Sequence, residues 1–345
     1  MQAGAYIGDA TMGVIDIDEP KAPGAGEVQI DVSFCGVCGS DLHQVQHGLV
    51  EPNTVMGHEF SAVVRSCGPD ADRYAAGTRV CVRPFLACGN CAQCTSDRRI
   101  YCSDSLAIGT AQGLAASWID GGMSPRINVP VDTLLGVPEE IGLDEIALVE
   151  PMAVALHAVR TSGLEKGASV VIMGAGPIGV ALVACARHEG AGTIIVTERS
   201  AARAEQAAAF GADHALVAGS DDVDARVQAL TNGGADVVFD AVGVPGMIEE
   251  GVRHMRHGGR IQIVGVCMEV DPVFPAGWLG KEPRIQICFI YTEAEFAETV
   301  DLVGRRKIKV DAMISRVEPM AHIQDVFESL RGAPTDVKVL LQPSL

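Results

Sequence analysis

Short apolar runs alternate with Ala-rich segments between residues 148 and 290, and this alternation constrains the fold more than any other feature. The pattern predicts strands at 170–173, 193–197, 214–217, 237–240, 260–266 and 285–290, with helices between them. Gly190, Gly211 and the pair Gly258-Gly259 are expected to end three of these helices. Strands that alternate with helices form parallel βαβ units. The segment is therefore predicted to be α/β, with a doubly wound, parallel, six-stranded sheet.

The first 147 residues have a different texture, which indicates a second domain. They are rich in Gly and Pro and carry short alternating runs such as 28–32 and 80–82, which favour strands joined by long loops. A last apolar strand is predicted at 337–341, and we expect it to pack back on this β-rich part. A chain of 345 residues also exceeds the usual size of a single core.

Composition narrows the choice of partners and compartment. Lys and Arg number 26 against 44 Asp and Glu, and the net charge of −18 would repel a nucleic acid. The N-terminus has no basic and apolar leader pattern, and the uncharged stretch 168–186 contains glycines that would break a membrane-spanning helix. The eleven Cys, an odd number, favour metal ligation by thiols in a reducing cytoplasm over a disulfide framework.

A glycine turn follows the first strand of the alternating segment. Residues 174–179 read Gly-Ala-Gly-Pro-Ile-Gly, a G-x-G-x-x-G between a predicted strand and a predicted helix. This context is typical of a Rossmann dinucleotide site, with the pyrophosphate at the helix N-terminus. Glu198 ends the second strand, 19 residues after Gly179, where a carboxylate can accept the ribose hydroxyls of NAD. Arg199 and Arg203 could instead receive the 2′-phosphate of NADP, so NAD is expected and NADP stays open.

Four thiols lie within 15 residues in the pattern Cys88-x2-Cys91-x2-Cys94-x7-Cys102. Four thiolates suit a tetrahedral, structural zinc ion with no free ligand position. An iron–sulfur cluster is less consistent with this sequence, because the fourth Cys comes late and is followed by Ser103. A redox pair is also less consistent, because two Cys would be left over.

A second set of metal-ligand residue types is dispersed along the chain. It comprises Cys38, His58-Glu59 and Glu150. Any one of these residues alone would usually be a packed or surface residue and not a metal ligand. Together they offer the mixed sulfur, nitrogen and oxygen donors of a catalytic zinc that keeps one position open.

The residues quoted above resemble the zinc-containing medium-chain alcohol dehydrogenases over essentially the whole chain. The matching segments are Cys35–His43, Gly57-His58-Glu59, the four-Cys lobe, Val149-Glu150-Pro151 and the glycine turn. The Glu-Pro pair resembles the one carried at this position by the sorbitol, butanediol and threonine dehydrogenase branch of the family. The resemblance implies a GroES-like catalytic domain at 1–150 and 289–345 with a zinc lobe at about 86–104, and a Rossmann domain at 151–288. It also implies a homotetramer or a dimer.

The resemblance further implies a role for individual residues. Cys38, His58 and Glu150 would hold the catalytic zinc, with Glu150 binding directly or through water, and Glu59 would enter during ligand exchange. Asp41 would orient His58, while Ser40 and His43 would relay the proton. The residues implied for the cofactor are Gly174, Gly176, Pro177, Ile178, Gly179, Glu198, Arg203, Val242, Val264, Gly265, Val266, Cys288, Phe289 and Ile290.

The expected function is hydride transfer between a secondary alcohol, or its ketone, and NAD(H), with two zinc ions per chain. A polyol, 2,3-butanediol or threonine dehydrogenase is the first alternative. A zinc-free type of enone or quinone reductase, or a non-enzymatic nucleotide-binding protein, is the second. Gln44 and Ile290 stand where sorbitol enzymes are expected to carry Tyr and Arg, so we expect a substrate with a hydrocarbon body. Trp118, in the segment 111–121, is a candidate for the pocket wall or for a subunit interface.

Overall fold

A computed structural model of the chain describes residues 1–96, 98–110, 115–219, 221–332 and 334–343. The strands of these residues are β1 (Gln2–Gly8), β2 (Thr11–Asp16), β3 (Glu27–Gly36), β4 (Thr54–Val55), β5 (Glu59–Cys67), β6 (Arg79–Val82), β7 (Phe85–Leu86), β8 (Leu106–Ile108), β9 (Ser117–Ile119), β10 (Arg126–Pro130), β11 (Leu134–Gly136), β12 (Val170–Met173), β13 (Ile194–Glu198), β14 (His214–Val217), β15 (Ala235–Asp240), β16 (Met255–Ile263), β17 (Arg284–Ile287), β18 (Ile314–Pro319) and β19 (Lys338–Gln342). The α-helices are α1 (Gly39–Gln46), α2 (Leu143–Ile146), α3 (Val149–Thr161), α4 (Pro177–His188), α5 (Ala201–Ala207), α6 (Val223–Thr231), α7 (Met247–His254), α8 (Glu293–Gly304) and α9 (Ile323–Ser329).

The alternating segment forms a six-stranded sheet in the order β14-β13-β12-β15-β16-β17. Each neighbouring pair in this sheet is parallel. Its central strand β12 is buried throughout, as expected for a parallel strand that is covered by helices on both faces of the sheet. The predicted doubly wound α/β fold is therefore confirmed.

Two strand boundaries differ from the prediction. The fifth strand, β16, begins at Met255 directly after α7, so the prediction that Gly258-Gly259 ends that helix was wrong. The two glycines lie inside β16, where the register against β15 shifts between Ala235 and Val237 and Gly258 has a φ of 66°. Glycine fits such a bulge because it has no Cβ. The sixth strand, β17, ends at Ile287 and not at Ile290, because Ile290 has a left-handed φ of 38° that an extended strand does not have.

A second large sheet holds the N-terminal part and the end of the chain together. Its strands follow the order β11-β6-β5-β3-β19-β18, and β10 also pairs with β3. The predicted last strand is β19, which lies antiparallel to β3 near the centre of this sheet. The two smaller sheets have the orders β2-β1-β4 and β7-β8-β9. Among the described residues, no helix is both long enough and apolar enough to span a membrane.

Candidate active site

Three of the dispersed ligand candidates meet beside the sheet that contains β3 and β5. Cys38 follows β3 and precedes α1, while His58 precedes β5 and Glu59 opens it. Strands β3 and β5 are paired with Gly36 opposite Glu59, so their ends bring the two segments together. One sulfur, nitrogen or oxygen atom of each of Cys38, His58 and Glu59 lies within 4.8 Å of the others. Thiolate, imidazole and carboxylate donors in one cluster match the chemistry of a catalytic zinc.

Asp41 lies behind this cluster and contacts the histidine. Its Oδ1 is 3.3 Å from Nδ1 of His58, and its Oδ2 accepts a hydrogen bond of 3.0 Å from the backbone N–H of Cys38. Burial disfavours the charged imidazole, but the adjacent Asp41 carboxylate raises the pKa of His58 well above its usual value. Asp41 is thus placed to fix both the ring of His58 and the main chain that carries Cys38.

Lys338 makes a contact with Glu59 that the sequence pattern did not reveal. Its ammonium donates to Glu59 Oε1 at 2.8 Å and Oε2 at 2.6 Å, and to the carbonyl of Val37 at 3.0 Å. Both side chains are only 1% exposed. Burial lowers the pKa of Lys338, but the Glu59 carboxylate outweighs it, so the pKa is raised and the lysine stays charged. Because position 338 lies inside an apolar strand that pairs with β3, only the fold places this cation beside the cluster.

Glu150 lies near the cluster but outside the group of three. It is buried in the first turn of α3, close enough for its charge to interact with those of His58 and Glu59. Burial raises the pKa of Glu150 to about 7, the negative charge of Glu59 adds to the rise, and His58 opposes it. The structure therefore brings the predicted ligand to the site, with its donor atoms further away than those of Cys38, His58 and Glu59.

The four-Cys segment forms a separate, compact group. Its sulfurs approach one another at 3.9 Å for Cys88 and Cys94, 3.8 Å for Cys91 and Cys102, and 3.5 Å for Cys102 and Cys88. Ligands of a tetrahedral zinc at a Zn–S distance of about 2.3 Å are separated by about 3.8 Å. The backbone N–H groups of Cys88 and Asp104 also point at the sulfur of Cys102. The spacing and chemistry of these thiols fit a structural zinc.

Ser40 and His43, the predicted proton relay, lie on α1 three residues apart. Both side chains are half-buried, and burial together with the neighbouring His47 lowers the pKa of His43. Within the described residues, no hydrogen bond joins the side chains of Ser40 and His43. Gln44 is buried beside them, and its amide donates to the carbonyl of Ser40 and to the hydroxyl of Thr110, both at 3.3 Å.

The glycine turn lies at the carboxyl end of β12, as the motif requires. Gly174 has a φ of 95°, and a Cβ there would lie 2.9 Å from Val242. A Cβ on Gly179 would lie 1.9 Å from the carbonyl oxygen of Gly174, so α4 can pack against the turn only with glycine at this position. Pro177 and Ile178 open α4, so the N-terminus of this helix lies directly after the turn, where a phosphate is expected to bind.

Glu198 lies beside the turn, but much of its accepting capacity is already used. Its Oε2 accepts from the N–H of Ala175 at 2.8 Å, and its Oε1 from Arg199 at 2.7 Å and Ser200 at 2.9 Å. An ionised carboxylate has about four acceptor positions, which leaves room for a ribose hydroxyl. Arg203 also reaches the turn, with one guanidinium nitrogen 3.9 Å from the position of a Cβ on Gly176, and it donates to the carbonyl of Asp336.

Most of the remaining predicted cofactor residues follow β16 or β17, at the same edge of the sheet as the glycine turn. Phe289 is the exception, because its side chain contacts the zinc lobe. Val264, Gly265 and Val266 follow β16, where Gly265 packs against the main chain of Gly243. Cys288 follows β17 and donates its N–H to the carbonyl of Ile263 at 2.8 Å. The ring of Phe289 is stacked on Tyr101 of the zinc lobe at 6.4 Å. Its side chain is therefore engaged with the lobe.

Trp118 is the residue that the sequence singled out for the pocket wall or for a subunit interface. Trp118 lies on β9 with 38% of its surface exposed. Residues 111–114 of the same predicted pocket segment lie outside the described residues.

Comparison with known proteins gives two matches to family models. Residues 24–139 match the alcohol dehydrogenase GroES-like domain, and residues 177–305 match the zinc-binding dehydrogenase family. The chain is 35% identical to sorbitol dehydrogenase from Bacillus subtilis, over 92% of this chain and 90% of that protein. It is 32% identical to 2-dehydro-3-deoxy-L-galactonate 5-dehydrogenase from Pseudoalteromonas atlantica, over 99% and 98% of the two chains.

Among solved structures, the chain is similar to a zinc-binding dehydrogenase from Sinorhizobium meliloti that was crystallised with NADP. The TM-score is 0.89 with 32% sequence identity, and the match covers 99% of both chains.

Proposed function

The chain belongs to the zinc-containing medium-chain alcohol dehydrogenase family, and from that premise we propose how its own residues perform the reaction. It is a zinc-dependent, NAD(P)-dependent oxidoreductase that acts on the CH–OH group of secondary alcohols. The observation that carries the proposal is the meeting of donor atoms from Cys38, His58 and Glu59 within 4.8 Å. A zinc-free reductase or a non-enzymatic nucleotide-binding protein would have no use for this set of donor atoms.

The catalytic zinc would be held by Cys38 and His58, with Glu150 as a third ligand, directly or through water. Glu59 would enter during ligand exchange, and Lys338 would hold its carboxylate in place between exchanges. Bound zinc supplies a Lewis acid that polarises the substrate oxygen. Asp41 would keep the His58 ring oriented toward the metal.

The proton released from the alcohol would pass through side chains of α1. Ser40 would contact the substrate hydroxyl, and His43 would carry the proton toward solvent. The lowered pKa of His43 keeps its ring neutral and able to accept that proton near pH 7.

Zinc content is the first test of these assignments. Two zinc ions per chain are expected, one at Cys38, His58 and Glu150 and one at the four-Cys lobe. Elemental analysis of metal-replete protein should find about two equivalents. Cys38→Ala should keep one zinc and lose activity, whereas Cys94→Ala should lose the lobe zinc. A single tightly held zinc in the wild type would contradict the catalytic assignment.

The cofactor is proposed to be NAD rather than NADP. Glu198 supports this choice because a carboxylate beside the adenosine ribose repels a 2′-phosphate. Arg203 and the NADP found in the Sinorhizobium meliloti relative support the alternative. The rest of the cofactor would lie along the glycine turn, Val242, the main chain of Val264–Val266, and Cys288–Ile290.

The domain division is also proposed, with residues 1–150 and 289–345 as the catalytic domain and 151–288 as the dinucleotide-binding domain. The pairing of β19 with β3 supports the return of the tail to the first part.

We propose a homo-oligomer, either a tetramer or a dimer. β17 is an edge strand of its sheet, and Ile287 on it is 77% exposed. The preceding loop exposes Val270 at 87%, Phe274 at 68% and Leu279 at 79%. Large apolar side chains that are exposed near an open strand edge are typical of a subunit interface. A cytoplasmic location is also proposed, and the cysteines of the described residues support it because none of them forms a disulfide. Sedimentation velocity would test the assembly.

The substrate is proposed to be a secondary alcohol or ketone with a hydrocarbon body, including vicinal diols. Ile290 offers no hydrogen bond where a polyol would need one, and an unpaired buried polar group costs about 1–3 kcal/mol. A polyol or sugar acid is the second candidate, supported by the names of the relatives and by the Gln44 amide beside Ser40. The test compares kcat/KM for sorbitol, 2,3-butanediol and an apolar cyclic secondary alcohol. If sorbitol is the best substrate, the apolar-pocket argument fails.

A further inference from the structure

The peptide that leads into His58 lies where three segments of the chain cross. Gly57, the residue before His58, has a left-handed φ of 99°, a conformation that glycine adopts without strain. The N–H of Gly57 donates to the carbonyl of Gly109 at 3.0 Å, and the carbonyl of Gly57 accepts from the N–H of Gly122 at 2.7 Å. The main chain that carries His58 is therefore held by hydrogen bonds from two other segments.

Two glycines make this close crossing possible. A Cβ at Gly109 or at Gly121 would collide with the carbonyl oxygen of Gly57, and each would also collide with the main chain of the other glycine. Gly121 in addition donates its N–H to the carbonyl of Val55 at 2.9 Å. Because heavy atoms essentially never lie within 3.0 Å of a Cβ, an alanine at either position would push the crossing segments apart by more than half an ångström.

His58 has little freedom to absorb such a displacement. Its side chain is only 6% exposed, and its Nδ1 lies 3.3 Å from Oδ1 of Asp41, so the ring is held at one end while the main chain is held at the other. Zinc sites keep their ligand distances within about 0.2 Å. A shift of more than half an ångström in the peptide before His58 exceeds this tolerance.

We propose that Gly109 and Gly121 are positioning residues for the catalytic zinc. They hold the Gly57 peptide from two sides and thereby set the place of the His58 ring, although neither glycine would contact the metal itself. The inference rests on the proposed role of His58 as a ligand of the catalytic zinc.

Gly121→Ala is the main test, because Gly121 has an ordinary φ and its Cβ would cause the collision without backbone strain. In competition with a chelator, the full-length variant should bind the catalytic zinc about tenfold or more weakly, as expected when the support of a ligand is lost. The lobe zinc, which is the one that remains in Cys38→Ala, should bind unchanged. With cobalt in place of the catalytic zinc, the visible absorption bands should shift because they report the ligand geometry.

Gly77→Ala is the matched control. Gly77 has a left-handed φ of 89°, and a Cβ there would meet no heavy atom of the described residues within 4 Å. Gly109 has a φ of 67°, so Gly109→Ala combines the same kind of strain with the collision. Gly109→Ala should weaken the catalytic zinc, whereas Gly77→Ala should not. Circular dichroism checks that each variant is folded.

Hydrogen exchange supplies a test that needs no substitution at the crossing. Coupling between two sites is reciprocal, so a zinc ion that depends on the crossing must also stabilise it. Loss of the catalytic zinc in Cys38→Ala should therefore speed exchange of the amides of Gly57 and Gly122. The amide of Gly77, which donates to the carbonyl of Val64, should exchange at an unchanged rate.

An unchanged zinc affinity and cobalt spectrum in folded Gly121→Ala would overturn the proposal. An equal loss of catalytic zinc in Gly77→Ala would also overturn it, because strain alone would then explain the effect. If neither alanine variant at the crossing folds, exchange at Gly57 and Gly122 that does not respond to the zinc decides against it. A wild type with a single zinc would instead contradict the proposed catalytic site.

Discussion

Replacement of Lys338 by Met tests the buried ion pair beside the proposed zinc ligands. Methionine keeps an unbranched stem of similar length in β19 but removes three hydrogen bonds, two to Glu59 and one to the carbonyl of Val37. The Glu59 carboxylate is only 1% exposed and would remain without its counter-charge. Removal of one partner of a buried pair typically costs about 3–5 kcal/mol, far more than an exposed pair.

The assay is urea unfolding of the zinc-replete protein, followed by circular dichroism and analysed by linear extrapolation. Lys338→Met should lose about 3–5 kcal/mol of unfolding free energy. Lys309→Met, at an exposed lysine, is the control and should stay within about 0.5 kcal/mol of the wild type.

The double variant Lys338→Met with Glu59→Gln supplies the sharper comparison. It leaves no uncompensated charge in the interior, so it should be more stable than Lys338→Met alone. The reasoning is refuted if Lys338→Met lies within about 1 kcal/mol of the wild type. It is also refuted if the two substitutions are simply additive, since partners in one ion pair must be coupled.

Three further predictions concern the cofactor, the relay and acid stability. Glu198→Ala should lower kcat/KM with NAD more than with NADP, and a wild type that already prefers NADP would contradict the assignment of Glu198. Ser40→Ala should lower kcat strongly with zinc content unchanged, while His43→Gln should act mildly and shift the pH–rate profile; near-normal turnover by Ser40→Ala would remove Ser40 from the relay. Glu295 is half-buried, which alone would raise its pKa, but its hydrogen bond to His157 lowers that pKa to about 2. The stability that the ionised Glu295 contributes should therefore be complete above its unfolded pKa of about 4.3 and should be lost as the pH falls toward 2. Glu295→Gln should then weaken the fall of the melting temperature between these two pH values. An unchanged fall in the variant would contradict this prediction.

The parallel sheet could be predicted because its determinants are local. Buried strands such as β12 appear as short apolar runs, and Gly174 and Gly179 mark the turn where any Cβ would collide with the main chain. The four-Cys lobe is local in the same sense, since its ligands lie within 15 residues. The start of β16 was harder to place, because the glycines at 258 and 259 can equally stop a helix or fill a bulge.

The polar partners of the site could not be predicted, because sequence separation hides them. Lys338 and Glu59 are 279 positions apart, and a lysine in an apolar strand gives no sign of its partner until β19 is placed against β3. Glu150 was singled out with the dispersed ligand candidates and received its role through the Glu-Pro resemblance, and its distance from the cluster depends on how α3 packs. Burial of a lysine is itself a usable signal: a charge at an inward position of a central strand requires a carboxylate nearby. Once the strand order is known, Gly36 of β3 pairs with Leu340 of β19 on one side and with Glu59 of β5 on the other, so the register places the Glu59 carboxylate close to Lys338.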